Sequence, residues 1–236
     1  MDEELHFFWL WPTARYADKM VLKRVSSQFR IVAIVDVAWP PDASAQSFNR
    51  IYARNLWNPW SREMSAGSGT SLMVIVEDDN PRYRLQVSAS GALAVANENM
   101  ISVKQALREM ASLHYDYAVH SSTSQREFLR DTQLVLGIED FERIVAHAKA
   151  ATGSGPIEIT VNRPLVGNCG WASWTEFLAF MPRVEKFCRL SDAESIWRDA
   201  QTGDVDILCQ SVWSFAAAAN AKLQIEGSKK PPALSR

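Results

Sequence analysis

No apolar run in this chain of 236 residues approaches the roughly 20 residues that a bilayer-spanning helix requires. A membrane span is therefore not expected. There is no Lys/Arg stripe, and the net charge is −2, so a nucleic-acid partner finds no electrostatic footprint. The opening MDEELHFFWLWP lacks the basic start of a secretory signal. Cysteine is scarce. Cys169, Cys188 and Cys209 are far apart and odd in number, which fits neither a disulfide framework nor a zinc knuckle. They read as reduced thiols of a cytoplasmic protein. The nucleophile elbow G-x-S-x-G and the zinc pair H-E-x-x-H are both missing, and SAGSGT lacks the Gly-Lys-Ser/Thr ending of a P-loop. His6, His114 and His147 have no partner at metal spacing and read as packed or surface histidines.

What the chain does have is an ordinary globular balance, 47% hydrophobic and 22% charged, with nine tryptophans suited to core packing. ELHFFWLW at 4–11 reads as a buried first strand stopped by Pro12. A helix is expected over 14–27, where apolar residues recur near helical spacing. QFRIVAIVDVAW at 28–39 is β-branched and apolar throughout, the mark of a central strand. A helix over 44–57 places Phe48, Ile51, Tyr52 and Leu56 on one face. SLMVIVED is another buried strand, 80–98 is a hairpin or an ordered loop, and 101–111 is a helix. YDYAVHSS is a strand again. Ser124 and Glu127 form a capping box, and the helix they open ends at Gly137. FERIVAHAKAA is a further helix.

ATGSGP at 151–156 interrupts this pattern, so a boundary is placed there. Residues 1–150 form the first domain, 157–227 a small α/β segment, and 228–236 a disordered tail. In the segment, GDVDILC puts Asp204 and Asp206 on one face of a strand, since side chains alternate. Two carboxylates so spaced can hold Mg²⁺ for nucleotidyl transfer.

His120 ends an apolar strand just before a Ser/Thr run that opens a helix. The plain reading is a histidine that closes a core strand. The chemical reading is a nucleophile, because imidazole is reactive near neutral pH and a helix N-terminus favours an anion. The pieces LWPT (10–13), QFRIVAIVDV (28–37), SFNRIYARNL (47–56), GSGTSLMVIVED (67–78) and YAVHSSTSQREFLRDTQLVLG (117–137) resemble a nucleoside diphosphate kinase domain over roughly the first 137 residues. That resemblance implies an α+β fold: a ferredoxin-like antiparallel sheet with helices on one face. It implies that His120 takes a phosphoryl group, with Ser122 two residues on and Arg108 and Arg84 as nucleotide-binding cations. Trp11 stands where the family has its phosphate-clamping lysine, and Tyr117 replaces an asparagine.

The Gly-…-Asp-x-Asp strand resembles nucleotidyltransferases of the DNA polymerase β type, with Glu226 as the third carboxylate. Together the two resemblances imply a nucleotide-linked transferase, or its remnant, in bacterial surface-polysaccharide biosynthesis. It would bind a nucleotide or nucleotide-sugar, use Mg²⁺ at Asp204 and Asp206, and assemble as a homo-oligomer. The alternative is a non-catalytic ferredoxin-like module for binding or oligomerisation.

Overall fold

The computed structural model describes residues 3–52, 66–87, 93–110, 118–150, 155–184, 187–189, 207–209 and 212–219. Asp204, Asp206, Glu226, Tyr117, His114 and the expected tail lie outside them.

The first strand, β1 (Glu4–Leu10), is followed by a 3-10 turn at Pro12–Ala17 and by α1 (Asp18–Ser26). Then come β2 (Arg30–Ala38), α2 (Pro41–Ile51) and β3 (Thr70–Asp78). The 80–98 stretch resolves into a hairpin, β4 (Tyr83–Val87) with β5 (Leu93–Asn97), leading into α3 (Glu98–Met110). A short β6 (Val119–Ser121) precedes α4 (Gln125–Ala150), and β7 (Ile157–Val161) follows. The described C-terminal pieces are α5 (Trp174–Val184), the pair β8 (Phe187–Arg189) and β9 (Ile207–Cys209), and α6 (Val212–Ala219). No described helix is long and apolar enough to cross a membrane.

The main sheet runs β6-β1-β3-β2-β7. β3 is antiparallel to both β1 and β2, and β6 is antiparallel to β1. Strands β1 and β2 therefore run parallel with β3 between them, which is the split β-α-β order of a ferredoxin-like α+β fold. The domain boundary expected at 151–156 falls before β7. That strand pairs parallel to β2 in this same sheet, and α5 and α6 pack on the same core.

Helices cover both faces of the sheet, where one face was expected. β1 carries the apolar run Phe7–Leu10 and β3 the run Leu72–Val76, and alternating side chains put apolar residues on both faces, so each face must be sealed from water. Phe8, Leu10, Leu72, Val74 and Val76 pack against Val21 and Val25 of α1 and Met100, Val103 and Leu107 of α3. Phe7, Trp9, Met73 and Ile75 pack on the other side with residues of α2, α4, α5 and α6. The Trp9 indole donates to Ser71 Oγ at 2.8 Å, so its buried N–H is satisfied.

The glycine expectation holds, and the capping expectation holds in its Ser124 half, while the Glu127 carboxylate accepts from Thr123 N. Glu127 N donates to Ser124 Oγ at 3.2 Å, which caps the start of α4. Gly137 breaks α4 at φ 72° and ψ 179°, a conformation essentially restricted to glycine. Arg163 closes that break by donating to the Leu136 carbonyl at 2.6 Å.

Arg50 on α2 is fully buried, and among the described residues no carboxylate pairs with it. Its guanidinium donates to the Ala217 and Ala218 carbonyls at 2.9 and 2.7 Å and to Asn168 Oδ1 at 2.6 Å. Burial pushes its pKa down to about 9, so it stays cationic at neutral pH. The two carbonyls belong to the last turn of α6, the negative end of that helix. Arg50→Ala should lower unfolding free energy by about 2–4 kcal/mol in urea titration, and Arg50→Lys should recover little because it lacks the planar fork.

Candidate functional site

His120 sits on β6 opposite Trp9, so its ring faces the tryptophan-rich side of the sheet. It is 8% exposed. The rings of Phe7 and Tyr52 lie 5.4 and 5.3 Å from it, centroid to centroid. Tyr52 follows the last residue of α2. The chain turns after Ser121 and starts α4, whose Glu127 and Asp131 are four residues apart and share one helix face. That face meets His120.

The imidazole Nε2 lies 3.6 Å from Asp131 Oδ2 and 3.8 Å from Glu127 Oε1. These contacts are too long for hydrogen bonds. His120 Nε2 and Asp131 Oδ2 are buried and have no hydrogen-bond partner among the described residues. Each carboxylate is anchored by its other oxygen. Asp131 Oδ1 accepts from Arg130 Nε at 2.6 Å, and Glu127 Oε2 accepts from Thr123 N at 2.7 Å and Thr123 Oγ1 at 3.1 Å. Arg130 also donates to the Ile51 carbonyl at 2.7 Å. His120, Glu127 and Asp131 thus bring three ligand-type atoms within 4.8 Å of one another.

The residues expected around His120 are placed differently. Ser122 is buried, but its Oγ accepts from Phe7 N at 3.0 Å and lies 3.2 Å from His6 Nδ1. It therefore serves β1. Arg108 reaches the neighbouring backbone, donating to Val119 O at 3.2 Å. Arg84 is on the exposed hairpin, 3.4 Å from Glu98. Asp204 and Asp206 lie outside the described residues. Trp11 is 1% exposed, its ring 4.5 Å from that of Trp9 and 4.9 Å from that of Phe48.

The sequence offers Glu127 only as a capping residue and assigns nothing to Asp131 or Lys104. The signal for the two carboxylates is their i, i+4 spacing behind a strand-end histidine. Lys104 sits one turn before Arg108 on α3, and burial pushes its pKa down to about 8, opposed by the charge of Glu127. A separate cleft of about 490 Å³ lies between Leu5, Glu77, Gln125, Phe128, Phe141 and Lys149.

On the other side of β1, His6 is part of a satisfied polar network. Its Nε2 is 3.3 Å from both Glu4 Oε2 and Asn97 Nδ2, and Asn97 donates to Asp78 Oδ2 at 2.9 Å. Asn99 also donates to Asp78. Asp78 is therefore held by amides.

No protein-family model matches this chain, and no curated protein matches it. Among solved structures, a nucleoside diphosphate kinase of Aquifex aeolicus aligns with 54% of this chain and 90% of its own length, at a TM-score of 0.36 and 14% identity.

Burial lowers the pKa of His6, and Glu4, Asp78 and Glu127 oppose that only in part. A histidine with a depressed folded pKa takes up its proton in the unfolded chain first, so folding stability falls as pH drops below about 6.5. The urea midpoint should decline between about pH 6.5 and 5, and His6→Gln should flatten that decline.

Proposed function

We propose that the chain is a remnant of a nucleotide-linked transferase: a nucleoside diphosphate kinase-like scaffold that binds nucleotide or nucleotide-sugar without turning it over at His120. Trp11 carries this reading. The sequence resemblance puts a phosphate-clamping lysine at that position, and here an indole is enclosed by Trp9, Trp39 and Phe48. Phosphoryl transfer is mostly positioning and neutralisation of charge, and an indole neutralises nothing. The groups facing His120 Nε2 are carboxylates, which repel a phosphate. Arg130 is engaged by Asp131 and the end of α2. Lys104 and Arg108, four residues apart on the helix that packs on β6, are two cations a phosphate could meet there, Arg108 also donating to the Val119 carbonyl.

The oligomerisation alternative has one observation of its own. Leu85 pairs with Val95, and Val87 with Leu93, and all four are exposed on the hairpin. Apolar pairs of this kind suit self-association with a second copy. Mg²⁺ at Asp204 and Asp206 rests on the sequence pattern alone.

Incubation with γ-labelled ATP and Mg²⁺ should leave no acid-labile phosphate on the protein. Calorimetric titration with ATP and UDP-sugars should give equal affinity for wild type and His120→Ala. The double change Lys104→Ala/Arg108→Ala should weaken binding about tenfold. Label that appears on wild type and vanishes in His120→Ala would overturn the remnant reading. If affinity instead follows Mg²⁺ and Asp204→Ala/Asp206→Ala, the nucleotide site belongs to the second half of the chain.

A further inference from the structure

We infer that His120, Glu127 and Asp131 form a binding site for one divalent transition-metal ion of the zinc type, with a coordination position left open for water. This goes beyond the reading above and needs neither nucleotide nor turnover. A protonated imidazole would draw a carboxylate in to about 2.7–2.9 Å, the length of a charge-assisted hydrogen bond. The observed separations are 3.6 Å to Asp131 Oδ2 and 3.8 Å to Glu127 Oε1. Two bonds of about 2.0–2.2 Å from a tetrahedral ion place their ligand atoms about 3.4 Å apart. The gap is wider than a proton bridge and close to the width of an ion.

Orphaned atoms give the second, independent observation. His120 Nε2 and Asp131 Oδ2 are buried without a hydrogen-bond partner among the described residues, and both point into the gap. Asp131 itself is 0% exposed. An unmet lone pair in the interior costs free energy, and here two such atoms converge with a third from Glu127.

The outer contacts complete the case. Metal sites hold their ligands through a surrounding layer of hydrogen bonds that fixes which atom faces the ion. Arg130 holds Asp131 by Oδ1 and leaves Oδ2 inward. Thr123 holds Glu127 by Oε2, with backbone and hydroxyl, and leaves Oε1 inward. Phe7 and Tyr52 flank the ring. One imidazole nitrogen with two carboxylate oxygens favours zinc over magnesium, which prefers an all-oxygen octahedron.

The test uses the full chain, stripped with a chelator and dialysed against Zn²⁺. Elemental analysis should find one Zn²⁺ per chain. Asp131→Asn and Glu127→Gln should each weaken binding at least tenfold, and Thr123→Val, which leaves the ligands in place, about tenfold. Near-ultraviolet circular dichroism checks that each variant keeps its packing. Co²⁺ added to the wild type should give visible d–d bands without a thiolate charge-transfer band, a readout that needs no variant. Absence of stoichiometric Zn²⁺, a thiolate band, or affinity unchanged in both carboxylate variants would overturn the site.

Discussion

Everything in this fold hangs on β1 being buried on both sides. A strand inside a sheet alternates its side chains, so five consecutive large apolar residues commit the chain to two cores. Phe7 and Trp9 go one way, Phe8 and Leu10 the other. β3 repeats the pattern with Met73 and Ile75 against Leu72, Val74 and Val76. Once both faces are apolar, helices must cover both. The same alternation decides the chemistry next door. His120 pairs with Trp9, so it must look into the tryptophan-rich core, while His6 looks into the other. Trp11 continues the Phe7–Trp9 face and is sealed in for the same reason.

Two buried histidines therefore flank one strand, and their surroundings differ in kind. His6 has every near neighbour at hydrogen-bond distance: Ser122, Glu4 and Asn97. It is a satisfied polar core, and burial explains its lowered pKa. His120 has carboxylates pointed at it from just beyond that distance. The contrast is informative because both sites share one sheet and similar burial. What sets His120 apart is the anchoring of its neighbours from behind.

Local pattern carried a good part of this into the sequence. The strands around 28–39 and 71–78, the Ser124–Glu127 cap and the Gly137 break follow from apolar periodicity and backbone preference, which act over a few residues. What was hidden depends on distant pairing. β7 joins β2 across more than a hundred residues, and nothing within ATGSGP signals that return. Ser122 is close to His120 in sequence, yet the register against β1 turns its hydroxyl to Phe7 and His6. Asp131 was invisible as a site residue, since a carboxylate in the second turn of a helix usually faces water. It becomes meaningful only when a strand end from the same chain is laid against that turn.

The arginines tie these levels together. A helix leaves its last carbonyls without internal partners, and buried ends must find donors elsewhere. Arg50 supplies them to α6, Arg163 to the broken middle of α4, Arg30 to the Ala148 carbonyl near its end, and Arg130 to Ile51 at the end of α2. A cation at a helix C-terminus is favoured by the dipole as well as by the hydrogen bond. As Arg30 grips Glu77, Arg130 also grips Asp131. Through it, the end of α2, which presents Tyr52 to His120, is fastened to the residue whose free oxygen faces the same ring. The loop of contacts closes on itself: Ile51, Arg130, Asp131, His120, Tyr52. A contact required by helix termination thereby also sets the aim of a buried carboxylate. The aim of the Asp131 carboxylate at His120 is thus set by contacts that helix termination already requires.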